Sequence, residues 1–121
     1  MEYTALTAST IARHRVNEKW GSLSWLASQQ IGNAQGLTLG HVIIKPGESN
    51  PRHCHPNCEE VLYLISGHLE HMVGEKKITA SAGDVFTVSP SVYHHATNIG
   101  SEDAHMIVAY SEGNREMQLK G

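Results

Sequence analysis

The sequence lacks the features that mark secreted, membrane-bound and disulfide-rich proteins. None of its apolar runs approaches the roughly 20 residues that a membrane helix needs, so we predict no spanning segment. Residues 1–16 also lack the basic start and apolar stretch of a secretion signal. We therefore predict a soluble cytoplasmic protein, in which the only two cysteines remain thiols rather than forming a disulfide.

Positive charge is also scarce. Nine lysines and arginines stand against twelve acidic residues, which gives a net charge of −3 with neutral histidines. No basic surface is expected to attract nucleic acid or anionic lipid, so we predict neither as a partner. The chain has 121 residues, of which 40% are hydrophobic and 17% charged, and this is typical of a folded protein rather than a disordered one. We predict one domain over residues 1–121.

Turn-forming residues recur at short intervals, and segments rich in β-branched and apolar residues lie between them. Many short strands at this spacing indicate an antiparallel sandwich or barrel. We predict strands over residues 37–45, 61–65, 68–73, 76–80, 85–88 and 105–110. Residues 7–20 are either a short helix or an extended arm, because their apolar positions are too sparse to decide.

The segment VLYLI, residues 61–65, is apolar at both alternating positions. A strand with one face in solvent alternates between apolar and polar residues, so this strand is predicted to be covered on both faces. The outer cover would be a second sheet, a second subunit, or the side chains of Trp20, Trp25 and Leu26.

Nine histidines are many for a chain of this length, and they favour metal or proton chemistry. His53 and His55 lie between Pro51 and Pro56, which disfavour a helix. In an extended segment both imidazoles share one face and Cys54 lies on the other. Such a pair can chelate one divalent ion, such as iron, zinc, nickel or manganese.

Two ligands make a weak site, and the sequence offers further ones. Glu59 or Glu60 can supply a carboxylate, since the turn before them breaks the strand count. A further imidazole can come from His94 or His95, which follow a second turn-rich segment. The residues alone leave both choices open.

The other reactive side chains have simpler interpretations. Cys54 and Cys58 are interpreted as inert thiols, because C-x3-C is not the usual redox spacing. His41 and His105 lie on predicted strands, where they either line the cavity or form hydrogen bonds within the wall. Three more are interpreted as surface histidines: His14, His68 and His71. The segment EGNRE, residues 112–116, is interpreted as a polar tail.

These residues resemble the two motifs of the cupin family. The first motif, G-x5-H-x-H-x3,4-E-x6-G, is met by Gly47, His53, His55, Glu60 and Gly67. The second motif, G-x5-P-x-G-x2-H-x3-N, is met by Gly83, His94 and Asn98, with Ser89 and Ser91 at the positions usual for proline and glycine. The two motifs cover residues 47–98, and the departures affect a turn and no ligand position.

The resemblance implies a fold and a site. The fold is an all-β double-stranded β-helix, the cupin jelly-roll barrel, with its core over residues 37–111 and an N-terminal arm over 1–21. The implied metal ligands are His53, His55, Glu60 and His94, and His95 then faces outwards. Small cupins commonly pair through their sheets, so a homodimer is expected.

Four protein ligands leave coordination positions open for substrate, as in a catalytic metal site. The resemblance therefore implies a metalloenzyme for a small organic molecule, of the dioxygenase, isomerase, cyclase or lyase type. The alternative is a non-catalytic cupin that binds or senses a small ligand. Apart from Arg52, no arginine or lysine lies in either motif core, and this disfavours a sugar-phosphate isomerase.

Overall fold

The computed structural model describes residues 2–120, which form antiparallel β-strands and one short helix. The helix α1 covers Ala8–Arg13. The strands are β1 Val16–Glu18, β2 Gly21–Ala27, β3 Thr38–Ile44, β4 His53–Cys54, β5 Glu60–Ser66, β6 His68–Val73, β7 Lys76–Ser81, β8 Val85–Val88, β9 His94–Asn98, β10 Ala104–Tyr110 and β11 Gln118–Leu119. Among the described residues, no helix is long and apolar enough to cross a membrane.

The strands form two sheets that enclose the core of a jelly-roll barrel. The six-stranded sheet has the order β1-β2-β3-β10-β5-β8, and the five-stranded sheet has the order β11-β4-β9-β6-β7. The predicted all-β fold is confirmed, and each of the six predicted strands ends within one residue of its expected position. The sheets also extend beyond residues 37–111, through β2 at one end of the chain and β11 at the other.

Strand alternation builds the core. Buried and half-buried positions alternate without a break along β3 and β10, so one face of each strand points inwards. The six-stranded sheet contributes Ile44 and Leu64 to the core, and the five-stranded sheet contributes Leu69. Burying each of these side chains contributes about 1.5–3 kcal/mol. The packed core fixes the strand ends at which the candidate site lies.

Residues 7–20 contain both of the predicted alternatives, a short helix followed by an extended segment. Thr7 caps α1, because its Oγ1 accepts a hydrogen bond from the backbone N–H of Thr10 at 3.3 Å. The helix buries none of its own residues. After it, β1 pairs with β2 at the edge of the six-stranded sheet.

The VLYLI strand is covered on only one face within residues 2–120. The outward side chains of β5 are exposed, at 40% for Val61, 45% for Tyr63 and 46% for Ile65. Of the possible covers that the sequence left open, Trp20 and Trp25 do not serve, because both pack against the hydrophobic core. Gly40 leaves the space for Trp25, since a Cβ at that position would lie 2.7 Å from the indole ring.

Candidate metal centre

Strand ends bring four side chains of the two sheets together. His53, Glu60 and His94 begin β4, β5 and β9, and His55 follows β4 by one residue. His53 pairs directly with His94 across the five-stranded sheet, whereas Glu60 comes from the facing sheet. All four side chains are buried, and one ligand atom of each lies within 4.8 Å of all the others. The structure therefore brings together the four residues that the family resemblance implies.

A backbone carbonyl orients each imidazole. The Nδ1–O distances are 2.6 Å from His53 to Pro51, 2.9 Å from His55 to Glu116 and 2.9 Å from His94 to Val92. Since a carbonyl oxygen only accepts hydrogen bonds, each Nδ1 carries the hydrogen. The Nε2 atom of each neutral ring is then a lone-pair donor, which is the form that binds metal ions.

The Nε2 atoms of His55 and His94 lie 3.2 Å and 2.9 Å from Oε1 of Glu60. A lone pair and a carboxylate oxygen repel at these distances unless a proton or a metal ion lies between them. His55 Nε2 is buried and makes no hydrogen bond within the described residues. Such a set of buried acceptors around one carboxylate fits a divalent cation.

The pKa values of the cluster reflect two opposing causes, burial and the contacts with the Glu60 carboxylate. Burial disfavours the charged form of Glu60, but its contacts with His55 and His94 outweigh burial and hold the pKa of its carboxyl below the ordinary range. Burial also disfavours the charged form of His94, yet the Glu60 carboxylate raises the pKa of this imidazole. Burial lowers the pKa of His53 to about 4, so this ring is neutral at pH 7 and available as a ligand.

Neighbouring reactive residues lie outside the cluster. Cys54 and Cys58 are buried free thiols, and neither belongs to the histidine–glutamate group. Burial raises the pKa of Cys58, which favours the neutral thiol. Glu59 is exposed. His95 is half-buried on the opposite face of β9, where its Nδ1 lies 3.3 Å from Nη1 of Arg52.

Asn98, the last residue of the second motif, is buried and hydrogen-bonds to neighbouring segments of the backbone. Asn98 is 1% exposed, and its amide group donates to the carbonyl oxygens of Ile44 at 2.8 Å and Glu102 at 2.7 Å. Its Oδ1 accepts from the N–H of Gly100 at 2.8 Å. Asn98 therefore ties the end of β9 to β3 and to the loop before β10.

His41 and His105 lie on the outer face of the six-stranded sheet. His41 Nε2 is 3.1 Å from His105 Nδ1, and the two rings stack with centroids 5.2 Å apart. Of the two possibilities left by the sequence, the structure shows hydrogen bonding within the wall rather than a place in the cavity.

The prediction of a surface position for His71 is wrong. This residue is 1% exposed, and its ring packs edge-on against Phe86 with its centroid 6.1 Å from that of His94. Its Nδ1 is buried without a hydrogen-bond partner in the described chain, and burial lowers its pKa to about 4. His71 lies two residues after Leu69 on β6, so the two side chains share the inward face of the strand, and this spacing is the sequence signal for its position.

The segment predicted to be a polar tail, residues 112–116, packs beside the histidine–glutamate cluster instead. Besides the carbonyl of Glu116 that orients His55, this segment places the Arg115 guanidinium 4.5 Å from the Trp25 ring centre and 5.0 Å from that of Tyr110. Tyr110 in turn lies 4.7 Å from the His55 ring. Nothing in the local pattern of EGNRE indicates this packing, because it depends on contacts with distant strands.

Comparison with known families gives a match over most of the barrel. A family model described as "Cupin domain" matches residues 40–110. Tetracenomycin polyketide synthase protein TcmJ of Streptomyces glaucescens is 30% identical over 114 residues, covering 91% of this chain and 76% of its own.

Other relatives are longer than this chain. Oxalate oxidase 1 of Hordeum vulgare is 28% identical over 90 residues, which cover 68% of this chain and 45% of the relative. A structure of Bacillus subtilis oxalate decarboxylase, solved in work on its Mn(II) centres, superposes with a TM-score of 0.83 at 22% identity. That match covers 91% of this chain and 31% of the other. The chain thus spans less than half of these two proteins.

Proposed function

The chain belongs to the cupin family, and from that premise we propose that it binds one divalent metal ion and acts as an enzyme on a small organic molecule. The observation that carries the proposal is the convergence of three Nδ1-protonated imidazoles on one buried carboxylate. His53, His55, Glu60 and His94 are the proposed ligands. The choice among manganese, iron, zinc and nickel is left to metal analysis, with manganese favoured by the oxalate decarboxylase neighbour.

The roles of the chain's own residues follow from their positions. Glu60 supplies the one negative charge of the ligand set, and the three carbonyl acceptors keep the imidazoles in the tautomer that binds a metal ion. A bound ion supplies Lewis-acid polarisation of substrate oxygen atoms. Burial of all four ligands limits the access of water, which strengthens electrostatic interactions with a bound substrate.

Substitution of His94 tests the proposed site. His94→Ala should lose most of its metal, because it removes one of three neutral ligands, whereas His14→Ala on the exposed end of α1 should retain the wild-type content. Elemental analysis of the purified proteins after dialysis against each of the four metals measures this directly. Equal metal content in His94→Ala and the wild type would refute the assignment.

Catalysis is tested separately from binding. The relatives make oxalate and polyketide-type compounds the first molecules to assay, with loss of the compound as the readout and oxygen uptake added for the iron form. Turnover that requires the metal ion supports an enzyme. Binding of such a compound without turnover would instead favour a ligand-binding or sensor protein.

We further propose that two copies associate through the outer face of the six-stranded sheet. Val61, Tyr63 and Ile65 of β5 are exposed there beside Val85 of β8, which is 55% exposed. The outward positions of β3, β5, β8 and β10 carry no aspartate, glutamate, lysine or arginine. Such a face can meet its own copy across a two-fold axis without repulsion between like charges.

A further inference from the structure

A pocket of about 600 Å³ lies between α1, β2 and the segment that follows β10. Its volume is within the range of small-molecule binding sites. The apolar part of its wall comes from Leu6, Ile11, Val16, Trp25 and Ile31. The cation in its wall is Arg115, which is also the residue next to the metal cluster.

The Arg115 guanidinium has no anionic partner within residues 2–120. It forms no ion pair with a carboxylate there, and the polar atom facing it is Nδ1 of His55, 3.3 Å from Nη1. That nitrogen donates its own hydrogen to the Glu116 carbonyl, so it has no lone pair to accept from Arg115. The half-buried guanidinium therefore keeps its donors available for a ligand.

The guanidinium is nevertheless held in place. It stacks over the rings of Trp25 and Tyr110, and such cation–π contacts are worth about 0.5–2 kcal/mol. Since it is fixed before a ligand arrives, less conformational entropy is lost when an anion binds. A positioned guanidinium also matches the two oxygens of a carboxylate.

Two positive charges lie near the pocket under the proposed function, on which this inference rests. A divalent ion with one carboxylate ligand leaves one net positive charge, and Arg115 adds another beside His55. Both favour an anion. A small dianion such as oxalate would fill little of the pocket and would leave its apolar wall without a contact, so the ligand needs an apolar body as well.

We propose that the pocket beside the metal centre binds an organic acid with a bulky apolar body, whose carboxylate pairs with Arg115. The apolar body contacts the wall formed by α1 and by Trp25. Arg115 is then a specificity-determining residue, which selects anionic over neutral compounds of the same shape.

Calorimetric titration with 2-naphthoate and with its neutral analogue 2-naphthamide tests this assignment. Arg115→Met should weaken 2-naphthoate binding by about tenfold or more, the cost of one charged hydrogen-bonded pair, and should leave 2-naphthamide binding unchanged. The affinity of Arg115→Lys for 2-naphthoate should lie between those of the wild type and Arg115→Met, because lysine keeps the positive charge but cannot pair with both carboxylate oxygens. Lys120→Met is the matched control, since Lys120 also lies over an aromatic ring, that of Tyr93, at 4.8 Å, and it is not part of the pocket wall.

Circular dichroism and metal content of each variant accompany the titrations. Equal affinity of wild type and Arg115→Met for 2-naphthoate would overturn the inference, as would a failure of the folded, metal-loaded wild type to bind it. If the metal-loaded wild type does not bind 2-naphthoate, the proposed metal function is unaffected, because metal content is measured separately. If the wild type takes up none of the four metals but still binds 2-naphthoate in a way that depends on Arg115, the result would support the pocket and refute the metal function.

Discussion

At the residue scale, the cluster histidines combine two features, an Nδ1 atom on a backbone carbonyl and burial beside the Glu60 carboxylate. The Nδ1 atoms of His53, His55 and His94 meet backbone carbonyls, whereas those of His95 and His105 face side chains. A backbone acceptor is fixed by the fold, so it sets one tautomer for each of the three rings. His14 also has its Nδ1 2.9 Å from a backbone carbonyl, that of Thr10, but it is exposed and outside the cluster. A fixed tautomer together with burial beside Glu60 is therefore what suits the three rings to metal binding.

Glu60 is expected to be essential for metal affinity, and its neighbour Glu59 is not. Glu60→Gln keeps the size of the side chain but removes the negative charge among three buried imidazoles, so metal affinity should fall by about tenfold or more. Glu59→Gln should bind metal like the wild type, because Glu59 is exposed and outside the cluster. Competition with a metal chelator measures both, and the reverse order would assign the ligand to Glu59.

Ser91 occupies the motif position at which glycine is usual, and the structure places it at a φ of 67°. This left-handed conformation is unfavourable for a residue with a Cβ. Ser91→Gly should therefore stabilise the protein by about 1 kcal/mol or less, since the gain is partly offset by the greater entropy of the unfolded chain. Chemical denaturation measures the change. Ser89→Gly, at a position without positive φ, should be neutral or destabilising, and stabilisation by this control alone would contradict the explanation.

At the scale of secondary-structure elements, the outer face of β3 and β10 carries one histidine, His41, that resists protonation. Burial lowers the pKa of His41 below its ordinary value, and the charges of His105 and Arg15 lower it further. The unfolded chain, with a pKa near 6.5, then takes up the proton more readily than the folded protein. Stability should therefore decrease as the pH falls below about 6.5.

The contribution of His41 is measured by comparing the wild type with His41→Gln. Other histidines titrate in both proteins, so only the difference between their unfolding free energies at pH 7.5 and 5.5 reports on His41. The wild type should lose more stability, by less than about 1 kcal/mol because His41 is partly solvated. An identical loss in both proteins would mean that His41 titrates as it does in the unfolded chain.

At the scale of the whole molecule, the uncharged sheet face determines the expected assembly. Light scattering should give the mass of a dimer for the wild type. Tyr63→Glu should give a monomer, because it places a charge against its own copy in the apolar interface. Ile99→Glu is the control, since Ile99 is 51% exposed and follows β9 of the other sheet. A monomeric wild type would refute this assembly.

From the sequence alone, six of the eleven strands could be predicted, because turn residues and β-branched segments mark them locally. The alternation of strand side chains left the choices between Glu59 and Glu60 and between His94 and His95 open, and only the resemblance to the cupin motifs implied the four residues that the structure brings together. The folded structure was needed to show that Arg115 lies beside His55 and Trp25, and that residues 2–120 leave one face of VLYLI open. These features depend on segments that are distant in sequence and meet only when the sheets pack, so no local pattern contains them.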